Sequence, residues 1–464
     1  MLKRSAERTG KPKLARKKID NNGAFFYNKS SLSYHAERER KPIDENRPSL
    51  KILTLLLLLA TLLTFASCDT ETPEPTAAST ADVTTAGTAT AATTEEPAKY
   101  TVRLNAPSST SIHTTLQTSY LIDRDPTSYK TYLRPAYSAQ SVSYDDNPGT
   151  LELGRPTTIT LTWDVETELS ESNVRAFSIR IWRASAPRKA ILKTLPKTTK
   201  EFVLSNLMIG ETYCWTVTAI DGDGKTYASE TARFTTDARG PRNLTVDGVT
   251  NVRDLGGWAT EDGGRVRQGL LFRGSKLVQN GSSTKLLITP DGIKTMCDEF
   301  GIKSEIDLRT KDKLGKLTSS PLGSTVNFYS CPMDDNAALF FTAENNMESI
   351  RAVFAILADE NNYPVYFHCS IGTDRTGLIA WLVNGLCGVT ENDLWRDYVF
   401  SNFGVINGKR STGIKGDYVD KLKTAQGNSF AEQIYNYLKD TVKVPEADLK
   451  AVIRIMKEPA ASRP

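Results

Sequence analysis

Histidine is almost missing from this chain: His35, His113 and His368 are the three in 464 residues. They form no cluster with cysteines at zinc-ligand spacing, which argues against a histidine-rich metal hydrolase and leaves no metal site to assign. Cysteine is sparse too, at six, and Cys214, Cys297, Cys331 and Cys387 sit mostly in apolar stretches. They read as buried thiols rather than a disulfide framework. Net charge is small: 58 basic against 54 acidic side chains leave +4, much of the positive excess lying in the first 51 residues. That gives nucleic-acid binding little support. Methionine is absent between Met1 and Met208, so a start near Leu50 needs a non-AUG codon. Residues 1–51 are read as a basic, disordered N-terminus without a function. The length points to two or three domains.

The long apolar run is Ile52 to Ser67, ILTLLLLLATLLTFAS, which ends against Cys68. A basic stretch, an apolar core and small residues before a cysteine resemble a bacterial lipoprotein signal, whose cysteine is lipidated after cleavage on its N-terminal side. Ala66, Ser67 and Cys68 fit that pattern, while Phe65 stands where an aliphatic residue is usual. Sixteen residues fall short of the roughly 17–25 that cross a bilayer, favouring the signal (52–68) over an uncleaved single-span anchor. Either way, everything after Cys68 is expected outside the cytoplasm and attached to a membrane.

Residues 69–99 hold ten Thr and eight Ala among 31, with almost nothing large and apolar. Such a segment cannot bury enough surface to offset its conformational entropy and reads as a flexible stalk. Residues 100–135 carry no assignment. From 136 to 237 short alternating strands are separated by turn signals, the pattern of an antiparallel sandwich. Ile159, Leu161 and Trp163 alternate with threonines, and Phe177, Ile179 and Ile181 with Ser and Arg. Tyr213, Trp215, Val217 and Ala219 share one face of a strand that runs into Asp221-Gly222-Asp223-Gly224. Leu207, Gly210 and Tyr213 resemble the tyrosine-corner region of fibronectin type III modules, as does the closing Phe234-Thr235-Thr236. The resemblance implies a spacer, or a module that docks a surface partner, without chemistry of its own.

After Pro241 the texture becomes alternating strand and helix, predicting for 240–464 a central sheet covered by helices. Leu270 to Arg273 reads as a strand; Thr289 caps a helix with Pro290 at its first position and Gly301 past its end. Ile302 to Leu308 and Val326 to Cys331 are further strands, Ser349 to Ala358 is helical, and Pro364 to Phe367 is a strand. The fold class is therefore multidomain, an α/β domain preceded by an all-β sandwich.

That last strand runs into His368-Cys369-Ser370-Ile371-Gly372-Thr373-Asp374-Arg375-Thr376-Gly377, and an apolar helix follows to Gly388. Strand, loop and helix are the context of a phosphate-binding loop, in which backbone N–H groups of residues 370–375 converge at the positive end of a helix. Gly372 permits the backbone such a nest requires. Cys369 at its mouth is the nucleophile, its thiolate favoured by those dipoles and by Arg375. The arginine fork holds two phosphoryl oxygens at once, which lysine does not reproduce. Thr376 can donate its hydroxyl to the departing sulfur, and His368 orients the loop backbone. An acid must protonate the leaving oxygen. Asp374 inside the loop is one candidate; Asp334 and Asp335, which precede Cys369 by 35 and 34 residues, are the other.

These features resemble bacterial protein-tyrosine phosphatases with an HCxxGKDRTG-type signature, related to dual-specificity and phosphoinositide phosphatases. Asn251-Val252-Arg253-Asp254-Leu255-Gly256-Gly257 resembles their NFRDLGG segment, Phe272-Arg273-Gly274 their FRS/FRG strand end, and Ile306-Asp307-Leu308-Arg309 their IDLR strand. Asp397-Tyr398-Val399-Phe400-Ser401-Asn402 resembles their DYLLSN helix, and Thr373 departs from the signature's lysine. The resemblance implies metal- and cofactor-free hydrolysis of a phosphorylated protein, phosphotyrosine above all, or a small phosphomonoester, through a phosphocysteine. Two other readings stay open: an inositol-phosphate or phosphoinositide phosphatase, and a non-catalytic phosphate-binding adhesion protein suggested by stalk and sandwich. A rhodanese-like sulfurtransferase ranks behind, since its loop needs neither the arginine nor the Thr-Gly helix start.

Overall fold

Alternation of large apolar residues with threonines and charges builds the first layer pair. A computed structural model describes residues 100–128, 155–167, 173–336, 339–406 and 410–460. Strand β1 (Tyr100–Asn105) is followed by helix α1 (Thr115–Asp123), then by β2 (Ile159–Thr167), β3 (Val174–Arg183), β4 (Ala186–Pro196) and β5 (Glu201–Leu204). β6 (Thr212–Asp221), β7 (Thr226–Ala228) and β8 (Ala232–Thr235) complete the sandwich. One sheet has the order β1-β2-β5 and the other β4-β3-β6-β7, with β8 also on β6. Trp163, Phe177, Ile179, Trp215 and Val217 fill the space between them with almost no exposure, as period-two burial demands. The tyrosine corner forms: the amide of Met208 donates to the Tyr213 hydroxyl at 2.9 Å.

The sandwich begins at Tyr100, not at residue 136. β1 pairs antiparallel with β2 from Tyr100↔Thr167 to Asn105↔Thr162. More than fifty residues separate these partners in sequence, so local patterning could not join them. The intervening segment sends α1 away from the sandwich. The Thr114 hydroxyl and the Gln117 side chain cap it reciprocally, while Tyr120 and Leu121 enter the core of the following domain.

That domain contains β9 (Arg242–Asn243), β10 (Arg253–Asp254), β11 (Arg265–Val266) and β12 (Leu271–Gly274). Then come α2 (Pro290–Lys294), β13 (Ser304–Asp307), α3 (Lys311–Leu314), β14 (Asn327–Ser330), α4 (Glu344–Leu357) and β15 (Val365–His368). The chain closes with α5 (Asp374–Leu386), α6 (Glu391–Phe400), α7 (Lys415–Leu422), α8 (Phe430–Asn436), α9 (Glu446–Met456) and β16 (Lys457–Glu458), which pairs with β11. The central sheet runs β14-β13-β15-β12-β10-β9, with β12, β15, β13 and β14 parallel. Thr289 caps α2 as its sequence predicts, its hydroxyl accepting from the Gly292 amide at 3.1 Å.

The parallel register aligns the C-terminal ends of these strands: His368 lies between Gly274 and Asp307, and Asp307 also faces Ser330. Loops leaving one edge of the sheet therefore meet over His368, the usual place for a site in an open α/β sheet. α5 starts at that edge and is buried nearly all round, as its continuous apolar sequence requires. The two modules are joined by buried polar contacts. Arg242 donates to the carbonyls of Leu207 (3.0 Å) and Asn206 (2.5 Å) and pairs with Asp254 at 2.7 Å. Gln268 donates to the Ile209 carbonyl at 2.8 Å and accepts from its amide at 2.9 Å.

Candidate active site

Ten consecutive residues form the floor of the site. His368 ends β15, the chain turns through Cys369 to Thr373, and Asp374 begins α5. Gly372 has φ +71°, and a Cβ there would lie 2.4 Å from the Gly274 carbonyl oxygen, so the turn needs glycine for both backbone angle and space. The Cys369 thiol is 2 % exposed. Burial works to raise its pKa, but the Arg375 guanidinium and the Thr376 hydroxyl and amide outweigh it and hold the thiol below its ordinary value. Among the described residues Thr376 Oγ1 is buried without any other hydrogen-bond partner, leaving it to the sulfur.

Arg375 leans under the loop. Its Nη1 donates to the carbonyls of Met333 (3.3 Å) and Leu308 (3.5 Å), and Nη2 to Ser370 Oγ at 3.5 Å. These are long contacts to neutral acceptors, a pairing that an anionic group with two charged oxygens could displace at small cost. The contact with Met333 also places Asp334 and Asp335 beside the loop. Asp335 is exposed and pairs with Lys313; that bond, followed by the fields of Lys313 and Arg375, keeps its carboxyl below the usual range. Asp334 is half-buried; one oxygen accepts from the Asn336 amide at 2.9 Å, and its own amide donates to Asn346 at 2.7 Å. No cation pairs with Asp334 among the described residues.

Asp374 has a different set of partners. Arg410 takes both oxygens, at 2.8 and 2.9 Å, while the Tyr398 hydroxyl donates at 3.0 Å and that of Thr373 at 3.1 Å. Every one of these partners donates, and the carboxyl oxygens accept. Arg410 Nη2 also reaches Thr373 Oγ1 at 3.2 Å, so a cation from another segment stands where the signature's lysine is missing. Burial of Arg410 would lower its pKa, but the bond to Asp374 and nearby negative charge hold it above its ordinary value.

Behind Cys369 is a buried charge cluster. His368 Nε2 lies 2.9 Å from Glu305 and 3.8 Å from Asp307, and Nδ1 lies 3.1 Å from the Cys369 carbonyl. Burial disfavours the imidazolium, yet Asp307 and Glu305 raise its pKa overall. These three side chains have metal-ligand types and mutual distances, but Asp307 is held bidentately by Arg309 and Glu305 accepts from Ser320. The cluster serves as a buried ion network under the loop rather than an open coordination site.

The loop's outward carbonyls are held from behind by residues for which the sequence reading had no role. Arg273 Nη2 donates to the Gly372 carbonyl at 2.7 Å, and Asn251 Nδ2 to those of Gly372 (3.1 Å) and Ile371 (3.3 Å). Asp397 anchors this layer, accepting from Arg273 at 2.7 Å and Arg253 at 3.2 Å; Arg253 also donates to Ser401 Oγ at 3.2 Å. Tying down the carbonyls leaves the N–H groups of the same peptides free to face the nest. The four segments quoted for their resemblance thus converge on one loop, and only contact information could have revealed it. Tyr418, whose hydroxyl donates to the Asp374 carbonyl at 3.0 Å, was missed for the same reason.

Neither Cys331 nor Cys387 is placed to pair with Cys369. Cys331 and Cys369 follow Ser330 and His368, which flank Asp307 on opposite sides, about 9–10 Å apart at sheet spacing and beyond disulfide reach. Cys387 follows the last residue of the 13-residue α5, about 20 Å from its start. Burial pushes both thiols up to about 12. The lipidation candidate Cys68, the stalk and the basic N-terminus lie outside the described residues.

Residues 244–460 match the tyrosine phosphatase family. A protein of Cupriavidus necator that bears the name of a tyrosine-protein phosphatase is 26 % identical over 243 residues, 46 % of this chain and 88 % of that protein. Among solved structures, the core catalytic domain of the yeast PP-IP phosphatase SIW14 is 14 % identical, with 33 % of this chain and 82 % of that one covered and a TM-score of 0.24. A fibronectin type III domain of human contactin 1 is 25 % identical, with 18 % and 71 % covered and a TM-score of 0.16. The family match makes the chain an enzyme, a phosphatase of the tyrosine-phosphatase type.

Proposed function

We propose that this tyrosine-phosphatase-like enzyme hydrolyses phosphomonoesters, phosphotyrosine first among them, through a phosphocysteine on Cys369 and without a metal ion. The observation that carries the reading is the buried Cys369 thiol, held low by Arg375 and Thr376 at the mouth of a loop whose carbonyls are tied back. The thiolate sulfur attacks phosphorus as the ester P–O bond breaks. The leaving oxygen takes a proton from an aspartic acid, and Arg375 binds two equatorial oxygens throughout. In the second step the same carboxylate accepts a proton from water, whose oxygen attacks phosphorus. The S–P bond then breaks, and Thr376 donates to the departing sulfur.

We assign the proton to Asp334. Arg410 pairs with Asp374 and Lys313 with Asp335, whereas Asp334 has no cation among the described residues and stands next to the carbonyl that Arg375 touches. Asp334→Asn should slow poor leaving groups more than good ones and flatten the alkaline limb of the rate profile. If Asp374→Asn does this and Asp334→Asn does not, the assignment moves to Asp374.

Substrate class follows from charge. Thr373 gives up the signature's lysine, and the cation that replaces it is neutralised by Asp374, which suits one phosphoryl group better than a polyphosphorylated ring. Higher kcat/KM on inositol polyphosphates than on a phosphotyrosine peptide would reverse this. Hydrolysis of an aryl phosphate by the native protein, abolished in Cys369→Ser and unaffected by chelators, separates both readings from a non-catalytic phosphate binder. From the sequence we also propose attachment to the outer face of a membrane by lipid on Cys68. Cys68→Ser should then lose lipid labelling and stay uncleaved. No described helix is long and apolar enough to cross a membrane.

A further inference from the structure

The sandwich domain reaches the catalytic machinery through helix α1. This nine-residue helix is too short to persist alone and is held by what it packs against. Tyr120 is fully buried, its ring 5.5 Å from that of Phe403 and 6.4 Å from that of Phe400. Its hydroxyl donates to the Arg396 carbonyl at 3.3 Å. In return Arg396 Nη2 donates to the Leu121 carbonyl, one of the last-turn carbonyls that a helix leaves without an internal partner. Arg396 is fixed from its other side by Asp393 at 2.6 Å, and its guanidinium lies over the Trp258 ring at 5.9 Å. Nearby, His113 Nε2 meets the Pro241 carbonyl at 2.9 Å, and its ring packs edge-on against Phe400 at 6.5 Å.

The next residue along α6 is Asp397, which holds Arg253 and Arg273, and Arg273 holds the Gly372 carbonyl. Ser401, which receives Arg253, lies between the two phenylalanines that Tyr120 touches. We infer that Tyr120 and Arg396 are positioning residues for the phosphate loop: the sandwich's inserted helix fixes the C-terminal half of α6 and so the carbonyl support of Gly372. The sandwich is then part of the enzyme rather than a spacer. This rests on reading the loop as the phosphate site.

The test uses the full chain with Tyr120→Phe, Tyr120→Ala and, as control on the same helix, Ile122→Ala, whose side chain is exposed. Inhibition by inorganic phosphate, kcat and KM on an aryl phosphate, and the pH at which iodoacetamide half-alkylates Cys369 are measured well below the thermal transition. Tyr120→Phe should lower kcat/KM by about fivefold, the worth of one hydrogen bond. It should also weaken phosphate inhibition and move the alkylation midpoint to higher pH; Tyr120→Ala should do more, and Ile122→Ala nothing. If Tyr120→Ala does not fold, Tyr120→Phe decides alone. A lowered thermal midpoint with unchanged phosphate inhibition and alkylation pH overturns the inference and leaves Tyr120 a merely structural residue. A native enzyme that neither binds phosphate nor hydrolyses the ester is a failure of the functional reading instead.

Discussion

Replacing Asp397 by asparagine removes one charge from between two arginines. Arg253 and Arg273 are 1 % and 0 % exposed, and Asp397 is 4 % exposed, so water cannot solvate what the substitution leaves. Removing one partner of a buried pair costs about 3–5 kcal/mol. Asparagine keeps one oxygen that can still accept from a single arginine, which places this case near the lower end, about 3 kcal/mol. For a unit of this size each kcal/mol moves the thermal midpoint by about 2–4 °C, so a fall of about 6–12 °C is expected. Activity should fall as well, because Arg273 loses the group that aims it at the Gly372 carbonyl. The loss of one charge-assisted hydrogen bond corresponds to about tenfold or more in kcat/KM. Circular dichroism melting and aryl phosphate hydrolysis at a temperature where both proteins are folded measure the two effects separately. Asp440→Asn, which breaks an exposed contact with Lys439, is the control and should change neither. A midpoint within about 2 °C of native together with unchanged kcat/KM would refute the account of Asp397 as the anchor of the loop.

Gly372→Ala should abolish turnover even if the protein folds, because the new Cβ meets backbone of Gly274 and Ser275 rather than a yielding side chain; phosphate binding by titration calorimetry should be lost with it. The rate profile should be bell-shaped, rising as pH climbs through the lowered Cys369 value and falling as the acid loses its proton. Stability adds to the alkaline loss. His368 has a raised folded value, so its pairing with Asp307 and Glu305 stabilises fully below the unfolded value of about 6.5 and fades as pH rises through the folded one. Melts from pH 5 to 9 should show that decline in the native protein and a smaller one in His368→Asn.

The shape of the loop was legible because it is local: cysteine, glycine turn, arginine and helix start occur within ten residues. So were the sandwich strands, since Ile159, Leu161 and Trp163 or Tyr213, Trp215 and Val217 repeat with period two and all prove buried or nearly so. What stayed hidden is non-local. β1 finds its partner beyond α1, and the supports of Gly372 come from 99 and 121 residues away. Arg410, with Lys409 one of the basic residues the sequence offers to make good the missing lysine, meets Thr373 from 37 residues away, a contact that only the fold supplies. Asp374 illustrates the limit: sequence offers it as an acid, and only the fold brings Arg410 and Tyr398 onto its oxygens.

Whether phosphorus passes through the Cys369 sulfur is decided by trapping the intermediate. The native enzyme and Asp334→Asn are mixed with an aryl phosphate, quenched in acid within milliseconds and mapped by mass spectrometry. One phosphoryl group per enzyme is expected on the peptide carrying Cys369, with more of it in Asp334→Asn if dephosphorylation needs that carboxylate, and none in Cys369→Ser. A phosphoryl group on any other residue, or turnover that survives Cys369→Ser, would contradict passage through that sulfur.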